Sequence, residues 1–147
     1  MRIHDVMSPP RVICQPGESL RCALLKMQFE EVDQVPVVYK DRLIGVLHRS
    51  DVVKVVGYEH PTMLEDLRLM DPLVETMCPI PAVVSAGDPV SAAAMYMDVF
   101  DLNSVPVIDD ERSLIGVVTQ SDVVTAAIPL FELAEKAEEQ ALDRIAA

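Results

Sequence analysis

The sequence predicts an α+β fold made of two pseudo-symmetric β-α-β-β-α repeats packed together as one module, and three observations predict it. The first is self-similarity. Sliding the 147-residue chain by 70 places puts Met7 on Met77, Pro9 on Pro79, Gly17 on Gly87, Ala23 on Ala93, Met27 on Met97 and Val35-Pro36-Val37 on Val105-Pro106-Val107. One extra residue near Arg112 changes the offset to 71. Leu43-Ile44-Gly45-Val46 then matches Leu114-Ile115-Gly116-Val117, and Ser50-Asp51-Val52-Val53 matches Ser121-Asp122-Val123-Val124, giving 16 identities in 50 aligned positions. The second is that the apolar spacing within each copy switches between strand-like runs and helical periodicity. The third is size: a unit of about 50 residues cannot bury both faces of its own sheet, so two copies must share their apolar surfaces.

Each repeat opens with a short apolar run bounded by Pro and Gly, Val12-Ile13-Cys14 and Ala82-Val83-Val84, which reads as a strand. A helix follows, because Leu20, Ala23, Leu24 and Met27 recur as Val90, Ala93, Ala94 and Met97 at the i, i+3, i+4, i+7 spacing of one buried face. Ser19 or Glu18 starts the first of these helices, and Asp88 before Pro89 reads as a cap and first-turn pair for the second. Two apolar runs then come in close succession. They are separated by Lys40-Asp41-Arg42 in one copy and Asp109-Asp110-Glu111-Arg112-Ser113 in the other, so both read as hairpins. A second helix begins at Ser50-Asp51 and at Ser121-Asp122. The segment from Gly57 to Glu75 matches neither copy; it holds a turn-like Gly-Tyr-Glu-His-Pro and a helical candidate from Thr62 to Met70. From Pro129 strong helix formers dominate. The division is therefore a first repeat over 1–58, a linker over 59–75, a second repeat over 76–128 and a helical tail over 129–147.

Composition narrows the function classes. Half of the residues are hydrophobic, mean hydropathy is +0.25, and 24 acidic against 12 basic side chains give a net charge of −12 and a pI near 4.5. That hydrophobicity excludes wholesale disorder. No apolar run reaches the roughly 18 residues of a membrane span, because Asp51 and Asp122 cut the longest ones. Neutralising phosphate backbones needs clustered Lys and Arg, so nucleic acid is not expected as a partner. The N-terminal Met-Arg-Ile-His-Asp has no apolar signal core. Cys14, Cys22 and Cys78 form an odd set without C-x-x-C spacing; they read as small core residues in a reduced cytoplasm rather than as metal ligands.

The best-matching segments are Gly45-Val46-Leu47-His48-Arg49-Ser50-Asp51 and Gly116-Val117-Val118-Thr119-Gln120-Ser121-Asp122. Each runs from a strand end, through a tight bend, into a helix start. Unpaired N–H groups there attract anions, and hydroxyls at the bend add donors for phosphate oxygens. A carboxylate beside them accepts two hydrogen bonds from a vicinal diol such as ribose. Thr-x-Ser-Asp thus suits a nucleoside phosphate. Ser or Asp ahead of Val-Val is equally an ordinary helix cap, a reading that explains Ser121 and Asp122 but leaves Thr119 unused.

Both repeats, over about residues 3 to 128, resemble CBS domains, named after cystathionine β-synthase, and the tandem is similar to a Bateman module. Met7 and Met77, the Val-Pro-Val triplets, Leu-Ile-Gly-Val and Ser-Asp-Val-Val carry the resemblance. It implies two clefts between the repeats that bind an adenosine-containing ligand, of the AMP, ADP, ATP or S-adenosylmethionine class, as an effector. The aspartate of each motif would sit on a ribose and the hydroxyls near phosphates. Asp122, Thr119 and Ser121 match that pattern; Asp51 and Ser50 match it in the first copy, where His48 stands in place of the hydroxyl. A protonated His48 with Arg49 nearby would favour additional phosphate. By analogy with the family, Ile13, Val35, Val83 and Val105 are candidates for the base, in an aliphatic sandwich rather than an aromatic cage. Residues 1–71 carry a net charge of −2 and residues 72–147 a net of −10. A monophosphate or weakly charged adenosyl compound therefore fits the second site better than a triphosphate.

No Gly-rich phosphate loop, H-E-x-x-H or nucleophile elbow is present, and His4, His48 and His60 are scattered, so no enzyme activity, cofactor or metal site is expected. A stand-alone regulatory sensor is the leading reading; alternatives are a ligand-free assembly module and a divalent-cation sensor using Asp109-Asp110-Glu111. The resemblance and the apolar helix faces, with Leu20, Leu24, Met27, Val52, Val53, Val90, Met97, Val123 and Val124, predict a homodimer that acts on a further, unidentified protein.

Overall fold

Apart from the opening strand of the first repeat, which is reduced to a single bridge, the predicted strands and helices of the two repeats can be followed in the computed structural model, which describes residues 1–57, 67–79 and 81–147. In the first repeat, α2 (Leu20–Glu30) is followed by the antiparallel hairpin β1 (Gln34–Tyr39) and β2 (Arg42–His48) and by α3 (Arg49–Val56). The second has β3 (Val84–Ser85), α4 (Val90–Phe100), β4 (Ser104–Ile108), β5 (Leu114–Thr119) and α5 (Gln120–Ala146). A short α1 (Ile3–Val6) precedes them, and 3-10 turns at Leu67–Met70 and Leu73–Glu75 lie between them. The mixed helix and strand architecture is the predicted α+β class. Residues 58–66, including most of the candidate helix from Thr62 and His60, lie outside the described residues.

The predicted core face of α2 packs inward: Leu20, Ala23, Leu24 and Met27 are buried with Val35, Val37, Leu47 and Val52. Ala93 and Met97 take the same places against Val105, Val107 and Val118. Ser19 caps α2 by accepting the Cys22 N–H at 3.1 Å. Asp88 is not the cap of α4; its carboxylate accepts the Ser85 N–H at 2.8 Å and closes the turn one step earlier, leaving Pro89 at the cap position. The first strands are shorter than predicted. Cys14 makes a single parallel bridge to Val37, and only Val84 and Ser85 pair with β4, because Pro9, Pro10 and Pro81 leave few N–H groups for a longer ladder. The first hairpin turns on Lys40 and Asp41, both with positive φ, the geometry that matches strand twist in a two-residue loop.

Each repeat is completed by the segment that precedes the other. Ile3 of α1 is fully buried in the second core, and Leu69 and Leu73 are buried in the first. Ser8 exchanges two backbone hydrogen bonds with Val117, at 3.0 and 2.8 Å, and Cys78 exchanges two with Val46, at 2.8 and 3.0 Å. Gly45 and Gly116 permit these crossings, since a Cβ on Gly45 would lie 2.6 Å from the Cys78 carbonyl oxygen and one on Gly116 3.0 Å from the Met7 sulfur. Equivalent residues also meet each other: Gln34 Nε2 donates to the Ser104 carbonyl at 3.1 Å, Asn103 Nδ2 to Asp33 Oδ2 at 3.4 Å, and Arg42 bridges Ser113. Such self-pairing marks a pseudo-two-fold axis between the hairpins.

Two readings need correction. Pro129 does not open a separate tail: α5 runs unbroken from Gln120 through it to Ala146. Of the residues expected to leave apolar surface, Leu20, Leu24, Met27, Val52 and Met97 are buried in the cores. The exposed apolar side chains are instead their neighbours one or two positions on, such as Phe29 (86% exposed) and Val99 (65%), together with Val124 on α5.

Candidate functional site

The two bends differ because one residue differs. At the second, Thr119 is the N-cap of α5, with Oγ1 accepting the Asp122 N–H at 3.1 Å while Asp122 Oδ2 accepts the Thr119 N–H at 2.8 Å. This is a reciprocal capping box. Capping therefore uses Thr119 and Asp122 and leaves Ser121 out, the reverse of the sequence expectation. At the first bend His48 occupies the cap position and makes no side-chain cap bond, so Asp51 at the third helical position has no reciprocal partner. Both bends are pinned by equivalent backbone bonds, Arg49 N–H to the Asp33 carbonyl at 2.8 Å and Gln120 N–H to the Asn103 carbonyl at 2.9 Å.

A cleft of about 420 Å³ opens at the second bend. It is lined by Thr119, Ser121 and Asp122, by Val117 of β5, and by Ser8 to Val12 and Val32 to Gln34. Among the described residues Arg11 is the one Lys or Arg that lines it, alongside Glu31, Asp33 and Asp122. Arg11 comes from the first half of the chain, whereas Thr119, Ser121 and Asp122 come from the acidic second half. On the pseudo-symmetric side two adjoining cavities replace one. A cavity of about 440 Å³ is lined by His48, Val46, Cys78, Val83, Tyr96 and Phe100 among others, and one of about 350 Å³ by Arg49, Ser50, Asp33 and Asp101. They meet at Gln34, His48 and Leu102.

The structure thus brings Thr119, Ser121 and Asp122 together in one cleft and His48, Ser50 and Val83 around the other, while Asp51 lines none of these cavities. Val35 and Val105 are corrected as base contacts: both are 0% exposed, sealed inside the two cores. Ile13 is 43% exposed yet lines none of these cavities; its neighbour Val12 does, with Pro36. Strand alternation explains this shift, since a one-residue step turns a side chain to the opposite face. Sequence reasoning missed Arg11, Gln34, Ser104 and the pair Tyr96 and Phe100. The last two carried a signal, an i, i+4 aromatic spacing on the side of α4 that adjoins Ala93 and Met97.

Other polar groups are already engaged away from the clefts. Asp109 Oδ1 accepts the N–H groups of Glu111 and Ser113, so the acidic hairpin tip is a turn, and among the described residues no group of His, Cys, Asp or Glu is arranged to hold a metal ion. Beside the first core, Lys26 Nζ donates to Glu18 Oε1 at 2.6 Å and to the Ile13 carbonyl at 3.2 Å. Burial opposes ionisation of Glu18, but the hydrogen bonds from Lys26 and the Gln15 N–H outweigh it and hold the carboxyl below its usual range. Burial pushes the Cys14 thiol up to about 12. Among the described residues no helix is long and apolar enough to cross a membrane.

Two interlocked β-α-β-β-α repeats with a cleft on either side of a pseudo-two-fold axis define a tandem CBS module. The chain belongs to the CBS domain family, which it matches over residues 3–58 and 73–144. It is 24% identical to the protein MJ1225 of Methanocaldococcus jannaschii over 127 residues, 83% of this chain and 45% of that protein. The crystal structure of MJ1225 superposes with a TM-score of 0.75. CBSX2, a CBS-pair protein of Arabidopsis thaliana solved in complex with AMP, is 24% identical with a TM-score of 0.73, covering 87% of this chain and 97% of that one. The CBS domain pair of protein MJ0100, solved with 5′-methylthioadenosine and S-adenosyl-L-methionine, is 21% identical with a TM-score of 0.70 over 86% of this chain and 98% of that one. The chain spans about half the length of MJ1225 and less than a quarter of the archaeal homoserine O-acetyltransferases and sulfurtransferases it also matches.

Proposed function

We propose that this chain is a regulatory CBS pair that binds an adenosine-containing effector between its repeats and transmits its presence to another protein. The observation that carries the reading is the second cleft, which Thr119, Ser121 and Asp122 of one repeat line together with Ser8, Arg11 and Asp33 from the first half of the chain. Capping and ligand binding are compatible there. A hydroxyl that accepts an amide hydrogen bond still has its own proton to donate to phosphate, and Asp122 has a second oxygen, Oδ1, to accept a ribose hydroxyl. The capping box holds both groups in position. Relatives of this fold bind AMP or S-adenosyl-L-methionine and 5′-methylthioadenosine, which supports the same ligand class here. A ligand touching both walls ties the repeats together, and it shifts their geometry only as far as it prefers one arrangement over another.

Exposed Leu25, Phe29, Met95 and Val99 on α2 and α4, with Val124 and Ile128 on α5, support a homodimer in which helices of two copies face each other. Sedimentation equilibrium giving a single 16.2 kDa species at tens of micromolar protein would exclude it. The ligand reading is tested by titration calorimetry with AMP, ADP, ATP and S-adenosylmethionine. At least one should bind, and Asp122→Asn, which keeps a capping acceptor, should weaken it by about 1.5 kcal/mol. Absence of binding by all four favours the assembly module; stabilisation by Mg²⁺ alone favours a cation sensor.

A further inference from the structure

The first cleft has two features for which the second has no counterpart. Tyr96 and Phe100 sit one turn apart on α4 with ring centroids 6.2 Å apart and planes tilted by 31°, and both line the larger cavity. Their equivalents across the axis, Lys26 and Glu30, line no part of the second cleft, and Lys26 is bound to Glu18. Among the described residues no Asp, Glu, Lys or Arg lines the aromatic cavity. Phe100 is 57% exposed, so a flat partner laid on it would remove apolar surface from water. The second feature is Arg49. Its equivalent Gln120 donates Nε2 to the Leu102 carbonyl at 3.1 Å, whereas Arg49 Nε is buried and has no hydrogen-bond partner among the described residues. Arg49 lines the smaller cavity together with the Ser50 hydroxyl, at the N-terminus of α3.

An exposed aromatic pair in one cavity and a guanidinium in the adjoining one are complementary to a planar heterocycle linked to an anion. Base-on-aromatic stacking contributes about 1–3 kcal/mol per base, and a guanidinium fork matches phosphate oxygens better than a point charge does. Asp33 and Asp101 line the same small cavity, so further phosphates would meet repulsion. Resting on the reading above that the clefts take adenosine compounds, we propose that the first cleft is the selective one. It takes a nucleoside monophosphate, with its base on Tyr96 and Phe100 and its phosphate on Arg49.

The chain has three tyrosines and no tryptophan, so tyrosine emission that is lost in Tyr96→Phe isolates the signal of this pair. AMP should quench it in the full-length protein. Tyr96→Phe should bind AMP unchanged by calorimetry while losing the quench. Phe100→Ala should weaken adenosine and AMP alike, by roughly tenfold. Arg49→Met should weaken AMP by roughly tenfold and leave adenosine unchanged, and Arg49→Lys, which keeps the charge without the fork, should fall between. AMP binding that leaves tyrosine emission constant, ignores Phe100→Ala and Arg49→Met, and yields to Asp122→Asn overturns this proposal and leaves the functional reading standing. Failure of both adenosine and AMP to bind the wild type at millimolar concentration overturns this proposal, and failure of ADP, ATP and S-adenosylmethionine as well overturns both.

Discussion

Replacing Gly45 by alanine tests the interlock on which both clefts depend. The new methyl would stand 2.6 Å from the Cys78 carbonyl oxygen and 2.7 Å from the Met77 sulfur. The sulfur is on a flexible chain and can swing away. The carbonyl cannot, because the same residue is held by paired backbone bonds to Val46 at 2.8 and 3.0 Å. Overpacking of this kind costs about 1–3 kcal/mol, and loosening the two bonds adds about 0.5–1.5 kcal/mol for each one lost. Against this, alanine narrows the unfolded ensemble by about 0.4–1 kcal/mol, a gain that applies because Gly45 does not have positive φ. With both bonds loosened the net expectation is a loss of about 1–5 kcal/mol. Gly116→Ala provides the internal control: its nearest contacts are the Met7 sulfur at 3.0 Å and the Ser8 carbonyl at 3.2 Å, so a few tenths of an ångström of adjustment suffice and the entropic gain offsets most of the cost. Urea denaturation followed by far-ultraviolet circular dichroism measures both. Equal stabilities for the two variants, or a less stable Gly116→Ala, would refute the reasoning.

Thr119→Ala removes a helix cap and should lower stability by about 1 kcal/mol, whereas Ser121→Ala, outside the box, should leave the denaturation midpoint unchanged while weakening phosphate-bearing ligands; a midpoint that falls equally in both would show that the box is not the anchor. Native-state alkylation near pH 8, read by intact mass, should spare Cys14, whose thiol burial pushes to about 12, and AMP should slow modification of Cys78 in the first cleft but not of Cys22 beside Glu18. Equal protection of Cys22 and Cys78 would count against occupancy of that cleft. The stabilisation from Glu18, whose carboxyl is held low, is complete above its ordinary value of 4.5 and lost as pH falls through the folded value. Glu18→Gln should therefore reduce the stability difference between neutral and acidic solution below about pH 4.5; an unchanged pH profile would remove that role.

The fold was legible because the repeat states each element twice. A helix read from Leu20, Ala23, Leu24 and Met27 alone is an inference from spacing; the same spacing at Val90 to Met97 makes chance coincidence of apolar side chains a poor explanation. The exchange of N-terminal segments was not legible. Nothing in Met7-Ser8 or Met77-Cys78 states which repeat they pair with, since the pairing depends on Gly45 and Gly116 letting the opposite chain approach, a long-range contact without a local pattern. The bends are legible as bends, but the Ser-Asp pair draws the cap two residues too late and hides Thr-x-x-Asp. Val35 and Val105 were chosen for the base from their strand position. Their burial follows from which face of a two-layer fold meets the helices, and period-two alternation alone leaves that choice open. Tyr96 and Phe100 went unread because a low aromatic count argues against a cage but says nothing about one pair placed at a cavity mouth.

The central claim is that effectors bind in the clefts between the repeats, and amide chemical-shift mapping of the full chain during titration with AMP tests it most directly. The account predicts saturable shifts confined to two sets: Ser8 to Val12 with Thr119 to Asp122 around the second cleft, and Ala82, Val83, Tyr96, Phe100 and Arg49 around the first. Shifts confined to the exposed faces of α2 and α5, or no shifts at millimolar AMP, adenosine and S-adenosylmethionine alike, would contradict it.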